Sequence, residues 1–294
     1  MTGSVVVGYD GSPESLAATV WAAHEARRRG LPLELLQAWP WPKRDVVGSD
    51  QSYQRARSLL TDRADALRAL VPEVTVNSSS VTTEPVEALE AAAQSAAVLV
   101  LGSRGLGTLR GYLVGSVSQE VLRRAARPVV LVRAGEAGGD NAGGDVGGQE
   151  PSGAVTVGLD LAHQAEPVLA FAFEAAALRS APLRVVHVWA PPPGSEHMSY
   201  GAIGGLEGEV AGSERADLAE ALESWRARHP EVEVTAELVR GKPAVELVDA
   251  AATARLLVVG RRSHHAPLCH HHLGPVAHAA IHHVHCPVAV VPYD

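Results

Sequence analysis

The segment VLVLGSRGLGTLRGYLVGSVSQEVLRR, residues 98–124, decides the fold, because it joins an apolar run to a helical pattern through a glycine-rich loop. The run that ends at Gly102 is typical of a buried strand. The pattern from Ser116 onward is typical of a helix, with Ser116 as its N-cap. Gly105 and Gly115 lie between the two. The segment therefore predicts a strand, a glycine-rich loop and a helix in succession.

The same alternation of strands and helices precedes this segment. Apolar runs bounded by turn residues predict strands over 4–9, 32–39, 74–80, 97–102 and 128–133, and helical periodicity predicts helices over 13–29, 51–70, 84–95 and 116–126. Strands separated by helices favour right-handed crossovers and a mostly parallel sheet that is covered on both faces. The predicted class is therefore a doubly wound α/β fold.

The chain contains this pattern twice. SVVVGYDGS at 4–12 is echoed by AVTVGLDLA at 154–162, EPVEALEAAAQSAAVLVLGSRG at 84–105 by KPAVELVDAAATARLLVVGRRS at 242–263, and RPVVLV at 127–132 by CPVAVV at 286–291. The residues between the two copies are rich in glycine and poor in apolar side chains, which is typical of a flexible linker. We predict two domains, 1–134 and 153–294, joined by a linker over 135–152.

Composition narrows the class of protein further. The 294 residues carry a net charge of -8, which gives no electrostatic reason to expect nucleic acid or an anionic membrane as a partner. The beginning of the chain shows no basic segment followed by an apolar core, and there are only 2 cysteines. We therefore expect a cytoplasmic location, with no membrane partner.

The glycines of the opening segment predict a phosphate-binding site. The first turn of a helix presents unpaired N–H groups and a partial positive charge, and glycines allow the backbone to curl around a phosphate. At the end of the first strand, Asp10, Gly11 and Ser12 face the same edge of the sheet, where they could reach ribose hydroxyls or a phosphate-bound Mg²⁺. The ligand predicted by this arrangement is a nucleotide.

The spacing of these residues resembles that of the universal stress proteins. The ATP-binding members of this family carry the motif G-x2-G-x9-G-[ST], which Gly102, Gly105, Gly115 and Ser116 match in the first domain. The resemblance implies ATP, or else ADP or AMP, as the ligand, with contacts from Asp10, Ala38, Ser116, Val117 and Ser118. Gly11 and Ser12 are expected at the site because they follow Asp10, and Arg104, beside the loop, is expected to face phosphate charge or solvent. It implies an adenine nucleotide alpha hydrolase-like fold with two five-stranded sheets of order 3-2-1-4-5. It also implies homodimers or tandem pseudo-dimers and a role in stress survival or dormancy.

The second domain departs from this motif. Asp160 and Gly260 are retained, Val188 stands in the position of Ala38, and Gly274 is followed by Pro275 instead of a serine. A proline suits the first helical position but removes one N–H that a phosphate could use. We therefore expect a weaker nucleotide site at Asp160, Val188, Gly260 and Gly274.

Histidines crowd the end of the second domain over residues 264–285. His278 and His282 are one helical turn apart and could share a metal ion. No spacing of histidine and cysteine matches a structural zinc site, so we expect no metal beyond a nucleotide-bound Mg²⁺ near Asp10. A solvated surface and a pH-sensitive one are both open interpretations of this region.

The sequence leaves more than one function open. It has no G-x4-GK[ST] loop and no G-x-S-x-G elbow, so it predicts no dedicated catalytic residues. The leading expectation is a nucleotide-dependent regulator, and the alternatives are a slow ATP hydrolase, an adenylyl-transferring enzyme, or an interaction module with a structural nucleotide. The last strands, at 128–132 and 287–291, are expected to pair antiparallel in an intramolecular pseudo-dimer.

Overall fold

The computed structural model describes residues 3–40, 49–105, 112–113, 115–134, 153–163, 166–190, 200–263 and 273–294. These residues form two compact units, the first on the N-terminal side of residue 150 and the second after it. The predicted linker, 135–152, lies outside the described residues, so its boundaries stay a prediction. Each unit is an α/β domain with its own apolar core.

The first domain alternates strands and helices as the sequence predicts. Its elements are β1 (Val5–Gly8), α1 (Pro13–Arg29), β2 (Leu33–Ala38), α2 (Ser49–Leu70), β3 (Val76–Val81), α3 (Pro85–Ser95), β4 (Val98–Gly105), β5 (Tyr112–Leu113), α4 (Ser116–Arg124) and β6 (Val129–Arg133). The long strands are parallel and lie in the order β3-β2-β1-β4-β6, so the expected order 3-2-1-4-5 is confirmed.

The second domain repeats this plan. Its elements are β7 (Val155–Gly158), α5 (Glu166–Leu178), β8 (Leu183–Trp189), α6 (Tyr200–Arg228), β9 (Val234–Arg240), α7 (Pro243–Ala250), a 3₁₀ turn (Ala251–Thr253), β10 (Leu256–Arg262), α8 (Pro275–His283) and β11 (Val288–Tyr293). The strands are parallel in the order β9-β8-β7-β10-β11. The two sheets therefore have the same topology.

Strand β4 differs from the prediction at its carboxyl end. It does not stop at Gly102 but continues to Gly105, because its last two residues pair antiparallel with β5, Arg104 with Leu113 and Gly105 with Tyr112. A two-residue strand is too short to produce a hydrophobic period, so the sequence pattern did not predict it. The end of β4 is thus paired with β5 before α4 begins.

Helix α1 begins and ends where its capping residues predict. Ser12 is the N-cap and its hydroxyl accepts a hydrogen bond from the N–H of Ser15 at 3.2 Å, while Pro13 opens the first turn. At the other end Gly30 adopts the left-handed conformation, with φ of 62°, which favours glycine. This capping places the first turn of α1 directly beyond the end of β1.

Candidate functional site

The first domain contains a cleft at the carboxyl ends of β1, β2 and β4. From β1 the chain builds the sheet in one direction through β2 and β3, whereas β4 and β6 lie on the other side, so the strand order reverses between β1 and β4. The cleft there has a volume of about 620 Å³. Its lining residues are Gly8, Tyr9, Asp10, Ser12, Glu14, Ser15, Leu36, Ala38, Pro85, Leu89, Leu101, Gly102, Gly115, Ser116, Val117, Ser118 and Gln119.

Most of the residues predicted for the nucleotide site line this one cleft. They are Asp10, Ser12, Ala38, Gly102, Gly115, Ser116, Val117 and Ser118. Gly11 is not among the lining residues but allows the turn between Asp10 and Ser12, since its φ is +82°. Arg104 and Gly105 lie at the end of β4, where only the backbone belongs to the described residues. The fold thus gathers segments that are about 100 residues apart in sequence.

Asp10 is held by the turn that starts α1. Its Oδ1 accepts hydrogen bonds from the backbone N–H and the hydroxyl of Ser12, at 2.9 and 2.6 Å. The side chain is exposed at the rim of the cleft. A carboxylate has two oxygens with about four lone-pair sites, so it can accept several hydrogen bonds at once. The turn therefore orients Asp10 before any ligand arrives.

Gly102 has a packing role in addition to its place in the cleft. A Cβ at this position would lie 2.6 Å from the carbonyl carbon of Glu14 and 2.8 Å from the backbone nitrogen of Ser15. Both contacts are with backbone atoms of α1, which cannot rotate away. Glycine at 102 therefore allows α1 to approach β4 closely, whether or not a ligand is present.

Gly115 has the opposite environment. It precedes α4 with φ of -58° and ψ of 151°, which any residue can adopt, and no atom of the described residues lies within 4 Å of an added Cβ. The packing of the described residues therefore does not require glycine here. A bulky side chain at 115 would instead extend into the cleft at the start of α4.

Ser116 does not cap α4, so the sequence-based assignment was wrong. The first intrahelical hydrogen bond runs from the N–H of Gln119 to the carbonyl of Gly115, at 3.0 Å, which makes Gly115 the N-cap and Ser116 the first helical residue. Within the part of the chain that the structure describes, no side chain caps this helix end. The Ser116 side chain is exposed, whereas Ser118 is buried and its hydroxyl donates to the carbonyl of Gly102 at 3.4 Å. The amides of the first turn consequently face the cleft without a capping hydroxyl.

Nine further lining residues of this cleft were missed by the sequence analysis, and two of them, Tyr9 and Glu14, are ionisable. Glu14 lies in the first turn of α1, and Tyr9 follows β1 with an exposed fraction of 6%. Burial raises the pKa of the Tyr9 hydroxyl, partly opposed by the charge of Arg63. Neither residue belongs to the glycine motif, so only their positions between the end of β1 and the first turn of α1 could have indicated them.

The second domain contains a cleft in the corresponding place, with a volume of about 460 Å³. All of the weaker site residues predicted there, Asp160, Val188, Gly260 and Gly274, line it. The other lining residues are Gly158, Leu159, Val168, Val186, His187, Pro243, Leu247, Val259, Arg261, Arg262, Pro275, Val276, Ala277 and Tyr293. Pro275 occupies the first turn of α8, as the sequence predicts. No atom of the described residues lies within 4 Å of an added Cβ at Gly274.

Tyr293 replaces part of α1 in the second cleft. Helix α5 begins at Glu166, whereas Pro13 of α1 corresponds to His163, which lies in a turn. The ring of Tyr293 lies against Gly260 instead, and an added Cβ there would be 2.5 Å from its Cε1. Burial and the charge of Asp160 raise the pKa of Tyr293, while a hydrogen bond with Arg262 opposes this shift. Gly260 thus faces the ring of Tyr293 and the side chain of Val168 from α5, whereas Gly102 faces the backbone of α1.

Polar contacts also differ around the second cleft. Asp160 contacts His163, with Oδ2 2.8 Å from Nδ1, and accepts from the backbone N–H of Ala162 at 3.1 Å. His187, at 7% exposure, donates from Nδ1 to the carbonyl of Leu159 at 2.9 Å, and its Nε2 lies 3.0 Å from Glu214. The glycine motif gives no signal for His187, Arg261 or Tyr293, and the sequence analysis missed all three.

The histidine-rich region is described only in part. Residues 264–272 lie outside the described part of the chain. The rings of His278 and His282 are 4.4 Å apart on α8, and burial together with the nearby histidines lowers the pKa of His278. Within the described ranges, no group of three or more histidine, cysteine, aspartate or glutamate side chains is arranged to hold a metal ion.

The duplicated domain and its two clefts agree with a known family. The sequence pattern of the universal stress protein family matches residues 1–133 and again 153–292. The chain belongs to the universal stress protein family. Its tandem arrangement is shared by a universal stress protein of Mycobacterium tuberculosis (strain H37Rv), which is 32% identical over 298 residues, 97% of this chain and 96% of the relative.

A solved structure of a universal stress protein has the same fold. It comes from Archaeoglobus fulgidus, and the match covers 99% of each chain with a TM-score of 0.70. Because the identity is 19%, this similarity shows the fold alone. Another is described in complex with cAMP; it is 30% identical and covers 45% of this chain and 98% of its own, with a TM-score of 0.36. No helix among the described residues combines the length and the apolar character needed to cross a membrane.

Proposed function

We propose that the first domain of this universal stress protein binds ATP together with Mg²⁺, and that the protein acts as a nucleotide-dependent regulator in stress response or dormancy. The observation that carries the proposal is the cleft that joins the rim carboxylate of Asp10 to the uncapped first turn of α4. A polyphosphate and its metal ion need these two kinds of group together. An adenine nucleotide is also the ligand of the relative described in complex with cAMP.

Each part of the cleft suits one part of ATP. The amides of Ser116, Val117 and Ser118 belong to the first turn of α4, where N–H groups and the helix dipole favour phosphate oxygens. The space beside Gly115 is open for the phosphates. Leu36, Leu89 and Leu101 provide apolar walls for the base, next to the backbone of Ala38.

In this proposal Asp10 holds the Mg²⁺ ion. Magnesium prefers oxygen ligands and is usually bound through one or two carboxylates, phosphates and water. The carboxylate of Asp10 is exposed at the rim and oriented by Ser12, which fits this mode. A bound Mg²⁺ would neutralise phosphate charge, which Asp10 and Glu14 would otherwise repel. ADP and AMP fit the same contacts with fewer phosphates.

A slow ATP hydrolase is the second candidate. Asp10 and Glu14 both line the cleft, and a carboxylate within reach of a bound water can accept its proton. Turnover of several ATP per second by the pure protein would favour this candidate, and an adenylyl transfer would appear as AMP attached to a partner. Retention of unhydrolysed ATP favours the regulator.

The test is calorimetric titration of the full chain with ATP and Mg²⁺. Ser116→Val removes the exposed hydroxyl at the start of α4, and Gly115→Leu fills the open space without straining the backbone. We expect each to weaken ATP at the first cleft by about 10-fold or more, equal to about 1.4 kcal/mol. Gly274→Leu is the matched control in the second domain. Unchanged affinity in both first-domain variants would contradict the proposal, and mass spectrometry of the co-purifying small molecule would identify the nucleotide.

The remaining expectations from the sequence stay predictions. The pairing of residues 128–132 with 287–291 in an intramolecular pseudo-dimer is tested by cross-linking through engineered cysteines on these two strands. A homodimer is tested by light scattering.

A further inference from the structure

Arg63 ties α2 to the beginning of α1 in the first domain. Its Nε donates to the hydroxyl of Thr19 at 2.7 Å, and its Nη2 donates to the carbonyl of Leu16 at 2.9 Å. The Thr19 hydroxyl in turn donates to the same carbonyl at 2.7 Å. Because a guanidinium is a planar, rigid fork, two hydrogen bonds to one helix hold that helix more firmly than a single contact. Helix α1 is thereby anchored to α2 directly behind its first turn.

The anchor lies close to the end of β1. Burial lowers the pKa of the Arg63 guanidinium, and the nearby hydroxyl of Tyr9 opposes this shift. Tyr9 follows β1 and lines the first cleft. Removing a charged group from water is unfavourable unless the group is hydrogen-bonded, and the bonds to Thr19 and Leu16 meet this need. The charge of Arg63 is thus held between α1, α2 and the end of β1.

The turn in front of this anchor forms one wall of the first cleft. The lining residues that lie just before the helix or in its first turn are Asp10, Ser12, Glu14 and Ser15. On the side of the sheet, the backbone of Glu14 is already in close contact with Gly102, so α1 cannot move closer to β4. Arg63 holds the same helix from the side of α2. These two contacts together fix where the wall lies.

The second domain has no counterpart of this anchor. Counted from the Pro-Glu-Val sequence that precedes the third strand of both domains, Arg63 corresponds to Ala221 on α6. Thr19 corresponds to Leu169 on α5. Both partners of the contact are therefore replaced by apolar residues, which cannot form it. The anchor is a property of the first domain.

The helices that the two domains place at their clefts also begin differently. Helix α1 begins at Pro13, whereas the corresponding residue of the second domain, His163, lies in a turn before α5. The first turn of a helix has N–H groups without intrahelical acceptors and opens more readily than the helix interior. The Ser12 cap in front of this turn and Arg63 behind it both oppose such opening.

We propose that Arg63 is a positioning residue for the first cleft: by holding α1 against α2, it keeps Asp10 and the first turn of α1 in the arrangement that binds ATP with Mg²⁺. The ligand in this inference rests on the function proposed above, whereas the anchor does not. Arg63 is not among the described residues that line the cleft, so it acts through Thr19 and Leu16. Groups that are already in place lose less freedom when a ligand binds, so loss of the anchor weakens binding without removing a contact.

Calorimetric titration of the full chain with ATP and Mg²⁺ tests this role. Arg63→Ala, which introduces the residue of the second domain, is expected to weaken ATP at the first cleft by about 5-fold or more. Arg55→Ala removes the same charge from an exposed position of α2 and is expected to leave the affinity unchanged. Unchanged affinity in Arg63→Ala, or equal losses in the two variants, would overturn the proposal.

A second substitution tests whether Arg63 acts through α1. Thr19→Val removes the hydroxyl that accepts from Arg63 but keeps the guanidinium and nearly the same volume. It is expected to weaken ATP by about 2-fold or more, and the double variant should bind about as weakly as Arg63→Ala alone, because both changes break one contact. Losses that multiply would show that the two residues act independently, which contradicts the anchor. If Arg63→Ala does not fold, the affinity of Thr19→Val decides, and an unchanged value overturns the proposal.

Hydrogen exchange of the chain without nucleotide separates this inference from the proposed function. The amides of Ser15 and Leu16 donate to the hydroxyl and the carbonyl of Ser12. In Arg63→Ala they are expected to exchange about 10-fold faster or more, whereas Arg55→Ala should leave their rates unchanged. If this occurs and the unsubstituted chain does not bind ATP, the function proposed for the first cleft fails and the anchor stands. If ATP binds and the exchange rates are the same in all three chains, only the anchor fails.

Discussion

Gly102 and Glu14 are in direct backbone contact: a Cβ on Gly102 would lie 2.6 Å from the carbonyl carbon of Glu14. The contact joins the end of β4 to the first turn of α1, and both line the first cleft. Gly102 therefore belongs to the nucleotide motif and also allows the packing of α1 on β4. Substitution of Gly102 should consequently affect stability differently from substitution of Gly115 in the same motif.

The first prediction contrasts two glycines of the same motif. Gly102→Ala should lower the free energy of unfolding by about 1–3 kcal/mol, because the backbone of α1 must move to admit the methyl group. Gly115→Ala should leave it unchanged or raise it slightly, since its φ of -58° suits alanine and the surrounding space is open. Urea unfolding of both variants measures this difference. Equal stability of the two would show that α1 can yield at this contact.

The second prediction concerns the charge of Asp10. Asp10→Asn keeps an oxygen that can accept from Ser12 but removes the carboxylate. The affinity for ATP in Mg²⁺ should fall about 10-fold, or about 1.4 kcal/mol, whereas in EDTA it should stay equal or rise, because the repulsion of the phosphates is removed. Asp217→Asn, at an exposed position of α6, is the control. Equal losses with and without Mg²⁺ would assign Asp10 to the ribose instead of the metal.

The third prediction concerns the base. The walls near Ala38 are apolar, with Leu36, Leu89 and Leu101 lining the cleft, so we expect backbone groups at the strand ends to read the base. GTP should compete at least 10-fold more weakly than ATP, because guanine inverts the donor and acceptor pattern of adenine. ADP should compete about as well as ATP. A competition assay in which GTP equals ATP would contradict backbone reading of adenine.

The fourth prediction concerns the stability of the second domain at acid pH. Arg184 donates to both carboxylate oxygens of Glu237, at 2.7 and 2.6 Å, and to the carbonyl of Ala250 at 2.8 Å, which links β8, β9 and the end of α7. The hydrogen bonds from Arg184 hold the pKa of Glu237 below its ordinary value of 4.5. The pair therefore stabilises the domain above that value, and its contribution is lost as pH falls through the lowered pKa.

Glu237→Gln tests whether the Arg184–Glu237 pair stabilises the domain at neutral pH and not at acid pH. The pair is about one-third exposed, so solvent screening limits the expected loss at pH 7 to about 0.5–1 kcal/mol, and the difference from the unchanged protein should disappear at acid pH. Urea unfolding at several pH values measures it, with Glu209→Gln, exposed on α6, as the control. A loss that is the same at every pH would mean that the hydrogen bonds, and not the carboxylate charge, provide the stability.

The sequence alone determined the duplication, the alternation of strands and helices and most of the first cleft. Each of these features can be recognised from a short stretch of sequence. Examples are the apolar run that ends at Gly102, the capped start of α1 after Ser12 and the glycine at 115. The sheet order followed from resemblance to the family, and the carboxyl ends of parallel strands necessarily meet at one edge. Sequence patterns together with this topology therefore suffice to place Asp10 and Ala38 near Gly115.

Only the tertiary structure decided what distinguishes the two clefts. Tyr293 reaches Gly260 because α5 starts later than α1 and the last strand, β11, brings the end of the chain back to the cleft, a contact between segments that share no motif. In the sequence, Arg261 is a basic residue at the end of an apolar run. Its burial is visible only in the structure, where other elements pack around β10. Likewise, Gly102 and Gly115 look alike in the motif, and only the position of α1 makes one of them a packing requirement. Local patterns specify backbone conformation, whereas the chemistry of a cleft depends on side chains that distant segments bring together.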